Sequence, residues 1–95
     1  MPLATVTVKF FATVREITGT KSVEIDAHNV EQLLQELIRT FGKRFSDAVM
    51  DPKSGGLKRF YSCMVNGKRI ELLNGYQTAL NQGDTVALFP PVGGG

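Results

Sequence analysis

The sequence predicts an α+β domain in which one amphipathic helix packs across a mixed sheet of four or five strands. Three patterns favour it: apolar and polar residues alternate near the start, one long helical stripe follows, and short strand patterns come after the stripe. With 95 residues, 42% of them hydrophobic, the chain has the size and composition of one globular domain. We place this domain at residues 1–89 and a flexible tail at residues 90–95.

Two segments near the amino terminus alternate with the period of two that is typical of half-buried strands. The first is Thr5–Phe10, which Phe11 is a candidate to extend, and the second is Lys21–Asp26. Residues 12–19 break the alternation and end in glycine, so they are interpreted as a connection. Two strands joined in this way form an antiparallel hairpin.

The strongest pattern is an apolar stripe with the spacing of one helix face. Asn29 is a good N-cap, and Gln32 three residues later completes a capping-box pattern. Gly42 supplies the positive φ that commonly ends a helix. We expect burial of this stripe to be the main source of stability. The stripe consists of Val30, Leu33, Leu34, Leu37, Ile38 and Phe41.

The second half of the chain predicts three further strands separated by turns. Residues 43–50 are a candidate short helical turn, and residues 51–56 are rich in loop-forming glycine and proline. Asn66-Gly67 is a strong two-residue hairpin signal. One helix inserted between a hairpin and further strands is the element order of a β-grasp (ubiquitin-like) roll. The three strands are expected at residues 60–65, 68–72 and 85–89.

Few residues are candidates for catalysis or metal binding. His28 has no second histidine to pair with, and is interpreted as an exposed residue before the helix. Cys63 lies at an inward strand position and is interpreted as a small core residue, with a redox role as the alternative. Residues 54–58 lack the spacing of a phosphate loop and are interpreted as a surface turn. We therefore expect a carrier or binding protein rather than an enzyme, with no metal site.

The charge distribution is uneven although the net charge is only +2. Seven basic side chains fall within residues 43–69, and they form either a solvated face or a surface that steers an acidic protein partner. Nucleic acid is not expected as a partner because regularly interleaved aromatic residues are lacking. No apolar run is long enough for a membrane span and no signal-peptide pattern is present, so a cytoplasmic location is expected.

The carboxyl end carries the least ordinary pattern of the chain. Two prolines follow the last strand and hold an extended path, and three glycines then remove all side chains. Bare backbone can enter a narrow channel that side chains would block. A frayed terminus or an expression remnant is the alternative interpretation. The segment reads Phe89-Pro90-Pro91-Val92-Gly93-Gly94-Gly95.

Residues 83–95 resemble the ending of the MoaD/ThiS family of ubiquitin-like sulfur carriers, which reads Gly-Asp-x-Val-Ala-x-(Phe/Leu)-Pro-Pro-Val-x-Gly-Gly. Phe10-Phe11-Ala12 with Arg15-Glu16 is similar to the family's first strand and loop, and Val65-Asn66 to its third strand and turn. The resemblance covers essentially the whole chain. Gly93 stands where the family often has alanine or serine.

The resemblance implies that the tail carries the function. An E1-like enzyme would use ATP to adenylate the carboxylate of Gly95, and sulfur from a persulfide donor would displace AMP and leave a thiocarboxylate. Gly93 and Gly94 would thread into the partner enzymes, and the chain itself would bind no cofactor. Partner contacts are implied for Phe89, Pro90, Pro91 and Val92.

The resemblance leaves several recipients of the sulfur open. The Phe-Pro-Pro-Val ending favours molybdopterin synthesis, in which this chain would be the small subunit beside the large subunit of molybdopterin synthase. Residues 50–60 look more like carriers for the synthesis of cysteine or another sulfur metabolite, or like long MoaD-type proteins of uncertain pathway. The length of residues 43–60 disfavours the thiamine branch. Two further alternatives are a protein modifier conjugated through Gly95 and an interaction module with an inert tail.

Overall fold

The computed structural model describes residues 3–91, which form a five-stranded sheet with its main helix on one face. The strands are β1 (Ala4–Phe10), β2 (Ser22–Ala27), β3 (Ser62–Val65), β4 (Lys68–Arg69) and β5 (Thr85–Phe89). The α-helices are α1 (Ala12–Thr18), α2 (Val30–Phe41) and α3 (Lys43–Val49). Short 3₁₀ helices lie at Ile70–Leu72 and Gly75–Gln77.

The sheet has the strand order β2-β1-β5-β3-β4, so the last strand of the chain lies in the middle of the sheet. β1 pairs with β2 in antiparallel fashion, as the sequence predicts, and with β5 in parallel, with Val8 opposite Val86. β5 also pairs with β3 in antiparallel fashion, with Ser62 opposite Phe89. The chain therefore leaves the sheet between two neighbouring strands rather than at an edge.

Helix α2 begins and ends where the sequence predicts. The Oδ1 atom of Asn29 accepts a hydrogen bond from the N–H of Gln32 at 2.8 Å. The Gln32 side chain in turn accepts from the N–H of His28 at 2.8 Å, one residue before the cap itself. At the other end, Gly42 has φ +80° and donates its N–H to the carbonyl of Ile38 at 2.7 Å.

The core lies between the stripe of α2 and the inward face of the sheet. Leu33 and Leu37 have no exposed surface, and the inward side chains of β1 and β5 are at most 6% exposed. Phe45 of α3 is also fully buried, so the predicted second helical segment closes one end of the core. Phe10 and Phe41 meet edge to face with ring centroids 5.6 Å apart. The predicted helix stripe is confirmed as the centre of the core.

The sequence analysis interpreted residues 12–19 as an irregular connection, but most of this segment forms helix α1. Its inward side is very narrow, since Val14 is fully buried and Ile17 is half-buried. Gly19 ends the helix with φ +75° and donates its N–H to the carbonyl of Arg15 at 2.8 Å. Seven residues with so short a stripe give too little periodic signal to distinguish a helix from a loop.

Two strands are shorter than predicted. β3 begins at Ser62 rather than at residue 60 because Phe60 has φ +70°, which is incompatible with an extended strand. β4 ends at Arg69 because Ile70 turns into a 3₁₀ helix and becomes buried there. The Asn66-Gly67 turn between them is confirmed, with φ values of +52° and +84°.

One further expectation about exposure is wrong. His28 is half-buried rather than exposed: its carbonyl accepts from the N–H of Leu80 at 3.0 Å, and its Nδ1 atom is buried. Gly56 is buried although it belongs to the predicted surface turn. A Cβ atom at Gly56 would lie 2.6 Å from the hydroxyl oxygen of Tyr76, which accepts from the N–H of Leu57 at 2.9 Å.

Candidate functional site

The candidate site is built around the point where the chain leaves β5, a segment that we call the tail root (Phe89, Pro90 and Pro91). All three residues are half-buried. Phe89 stacks on Phe11, with ring centroids 4.5 Å apart and the planes 13° from parallel. The stack joins the end of β5 to the residue that follows β1, so the position of the tail root is fixed by contacts with its neighbour in the sheet.

An apolar groove lies beside the tail root on the face of the sheet opposite α2. Its volume is about 520 Å³. Strand alternation explains the lining: Cys63 and Leu88 point into the core, so the residues next to them point outward. We call this the tail-root groove; it is lined by Phe11, Ala12, Phe60, Ser62, Met64, Phe89, Pro90 and Pro91.

The structure brings together three of the four residues for which partner contacts are predicted, namely Phe89, Pro90 and Pro91. Val92 lies outside the described residues, as do Gly93, Gly94 and Gly95, so the predicted roles of these four stay predictions.

Five lining residues were missed by the sequence analysis, and three of them have large apolar side chains. Met64 is an apolar residue at an outward position of β3. The strand alternation in the sequence could have identified it as an exposed apolar side chain. Phe11 and Phe60 follow or precede a strand and have 37% and 70% of their surfaces exposed, for which the sequence gives no sign. Exposed aromatic side chains next to each other are a common feature of protein-binding surfaces.

The basic segment is partly engaged within the chain. Lys43 contacts Asp47 at 2.8 Å, and this hydrogen bond and the Asp47 charge raise the pKa of Lys43. Lys58 donates to the main-chain carbonyl of Asp47 at 2.6 Å. Arg59 instead lies over the ring of Phe60, 5.0 Å from its centroid, beside the tail-root groove. Only part of the segment is thus a freely solvated face.

Cys63 has the environment of a core residue. It is 2% exposed, and burial together with the charge of Glu71 raises the pKa of its thiol to about 12. Because the thiolate is the reactive form, the thiol is inert at neutral pH. This geometry supports the core-filling interpretation over the redox alternative.

We expect a maleimide reagent at pH 8 to label Cys63 only as fast as the domain opens. Labelling should become rapid in denaturant, where the thiol regains its ordinary pKa. The raised pKa also contributes stability that is present below about pH 9 and is lost as the pH rises towards 12. Fast labelling of the native protein, followed by mass spectrometry, would contradict the assignment.

Among residues 3–91, no three histidine, cysteine or acidic side chains are placed to hold a metal ion together. In the same part of the chain, no helix has the length and apolar character needed to cross a bilayer.

Comparison with known proteins agrees with this geometry. The chain is 37% identical over 91 residues to small archaeal modifier protein 3 of Haloferax volcanii, covering 92% of this chain and 95% of that protein. It is 34% identical over 78 residues to the sulfur carrier protein CysO of Mycobacterium tuberculosis, covering 81% and 83%. The solution structure of small archaeal modifier protein 1 from Methanosarcina acetivorans superposes with a TM-score of 0.84 at 31% identity, covering 98% of each chain.

A central carboxyl-terminal strand, a helix crossing the sheet and these structural neighbours define a ubiquitin-like β-grasp protein. The sequence profile of the ThiS family matches residues 8–95. The chain belongs to the ThiS family, whose relatives here include sulfur carriers and ubiquitin-like modifiers. These relatives are small carrier and modifier proteins rather than catalysts.

Proposed function

We propose that this protein is a sulfur carrier whose working group is the carboxylate of Gly95. The observation that carries the proposal is the apolar groove beside the tail root, at the place where an enzyme that receives the tail must contact the domain. The family match that runs to residue 95 supports it. The domain supplies recognition and the tail supplies the reacting group.

The proposed chemistry takes place in the active sites of partner enzymes. A carboxylate oxygen of Gly95 attacks the α-phosphorus of ATP in an E1-like enzyme, and pyrophosphate leaves. The terminal sulfur of a persulfide then attacks the acyl carbon and displaces AMP, which gives an acyl disulfide. A second thiol forms a disulfide with the donor sulfur and releases the tail as a thiocarboxylate.

The tail root is suited to present the tail to two enzymes in turn. Pro90 and Pro91 lack N–H groups and have a fixed φ, which limits the number of paths the chain can take away from β5. Ordering four following residues in a channel costs roughly 4–8 kcal/mol of backbone entropy. The groove contributes contact area that offsets this cost, and the resulting affinity is moderate enough for release.

For the recipient of the sulfur, we propose the large subunit of a molybdopterin synthase, with this chain as the small subunit. The Phe-Pro-Pro-Val ending at residues 89–92 supports this assignment. The likeness to CysO makes cysteine synthesis the competing recipient. Purified thiocarboxylated chain offered separately to a molybdopterin synthase large subunit and to a cysteine synthase, each with its own sulfur-accepting substrate, discriminates between them, since only the true acceptor consumes the thiocarboxylate rapidly.

Protein modification is a second candidate function, favoured by the 37% identity to small archaeal modifier protein 3. Conjugation uses the same acyl adenylate, but a lysine amine displaces AMP and forms an isopeptide. Immunoblots of cell extract should then show a ladder of larger species that requires Gly95.

Intact-mass spectrometry tests the main proposal. Incubation with the E1-like enzyme, ATP and a persulfide donor should change the mass by replacement of one oxygen with one sulfur. The Cys63→Ala variant should be loaded to the same extent, because the buried thiol is not the acceptor. Loading that requires Cys63, or an unchanged mass with partners that load a known carrier, would refute the proposal.

A further inference from the structure

Backbone strain is concentrated at the tail-root groove. Three residues other than glycine have a positive φ among residues 3–91: Ala12 (+52°), Phe60 (+70°) and Asn66 (+52°). Asn66 lies in the hairpin turn, where this conformation is expected. The other two both line the tail-root groove. A bulky residue with a positive φ is a conformational outlier. It persists where the surrounding structure imposes it, often at a functional surface.

The turn that carries Phe60 is fastened on both sides. The N–H of Lys58 donates to the carbonyl of Val49 at 2.8 Å, and the N–H of Tyr61 donates to the carbonyl of Lys58 at 3.1 Å. The hydroxyl of Tyr61 donates to the carbonyl of Ala48 at 3.1 Å. These contacts hold the turn against the end of α3, while 70% of Phe60 stays exposed. The strained conformation thus presents an aromatic ring to solvent instead of burying it.

Arg59 provides a charge next to this ring. Its guanidinium carbon lies 5.0 Å from the Phe60 centroid. Within residues 3–91, the salt bridges involve Arg39, Lys43 and Arg69, and Arg59 has no carboxylate within 4.0 Å. No acidic residue lines the tail-root groove. A second copy that presented the same groove would therefore offer Arg59 no opposite charge.

We propose that Phe60 and Arg59 form a docking anchor for the E1-like enzyme. This inference rests on the proposed function, because it places the anchor where the enzyme that takes the tail must make contact. The enzyme surface that fits has an apolar hollow for the Phe60 ring and a carboxylate for Arg59, at the mouth of the channel that receives residues 92–95. Aromatic and arginine side chains are the residues that most often dominate such interfaces.

Two substitutions at one position separate the anchor from the strain. Phe60→Ala removes the ring but keeps a Cβ at positive φ, whereas Phe60→Gly removes both. Both variants should raise the KM for the carrier in enzyme-dependent pyrophosphate release by about 10- to 30-fold with kcat unchanged. Phe60→Gly should melt about 4 °C or more above Phe60→Ala, because glycine relieves the strain.

Leu72→Ala is the matched control, since Leu72 is 77% exposed and lies outside the groove. Its KM should stay within about two-fold of the unmodified chain, as expected for a surface residue without partner contacts. Arg59→Glu should raise the KM most at low salt, where charge interactions are least screened.

Equilibrium binding of the E1-like enzyme to a chain lacking Gly95 keeps the two proposals distinguishable. If the anchor exists, this shortened chain still binds the enzyme. Phe60→Ala in the shortened chain then raises the Kd by about 10- to 30-fold, as it raises the KM of the full chain. Binding without any adenylation of the full chain would refute the proposed function and leave the anchor standing. Adenylation with unaltered KM and Kd for both Phe60 variants, or equal losses for Leu72→Ala, would overturn the anchor.

Discussion

Deletion of Gly95 should lower the rate of ATP-dependent sulfur loading by about 100-fold or more, because a reacting atom misplaced by even about 1 Å can cost that much. Removal of one residue withdraws the new carboxylate by about 3.5 Å along an extended chain. The loading rate, followed by intact mass, is the measurement.

Gly95→Ala is the control for this deletion because it preserves the length of the tail and adds only a methyl group. It should load faster than the deletion variant, while both should melt at the temperature of the unmodified chain, since the core lies in residues 4–88. Loading of the deletion variant at the full rate would show that Gly95 is not the reacting residue.

Leu37→Ala should lower the free energy of unfolding by about 2–5 kcal/mol, which combines lost contact with the cavity that remains. Leu37 has no exposed surface and lies at the centre of the α2 stripe. For a domain of this size, each kcal/mol corresponds to a fall in Tm of about 4–8 °C. Leu34→Ala, at 2% exposure, should behave in the same way.

Urea and thermal unfolding measure this effect, with Leu72→Ala as the exposed leucine control that should change stability by less than about 0.5 kcal/mol. A loss below about 1 kcal/mol for Leu37→Ala would mean that the stripe does not carry the core. The fraction of the Leu37→Ala variant that remains folded should be loaded with sulfur at the rate of the unmodified chain, because Leu37 lies on the face of the sheet opposite the tail-root groove.

Elements with a strong local signal could be predicted from the sequence. The α2 stripe has six positions with consistent spacing, and its N-cap and terminal glycine act within a few residues. Asn66-Gly67 determines its turn in the same local way. Helix α1 was missed because its inward side is so narrow, with Val14 its one fully buried residue. His28 was misjudged because a segment some 50 residues away in sequence covers it.

The candidate site also has a part that the sequence predicted and a part that it did not. The tail root was predictable because its unusual composition is contiguous: two prolines and three glycines in seven residues. The groove beside it was not, since Phe11 follows β1 whereas Phe60 and Met64 belong to the segment of β3, and these two segments meet only when β5 lies between β1 and β3. The positive φ of Phe60 was equally invisible, because contacts from α3 impose it.

The sequence by itself determined the types of the five strands and of helices α2 and α3, the helix face that is buried and the candidate reactive end of the chain. Each of these depends on residues close together, whose periodicity and backbone preferences act locally. Only the tertiary structure decided the strand order, the depth of His28 and Gly56, and the aromatic groove beside the tail root. These features depend on pairing and packing between segments that are distant in sequence. The free energy of such contacts cannot be inferred from any short stretch of sequence.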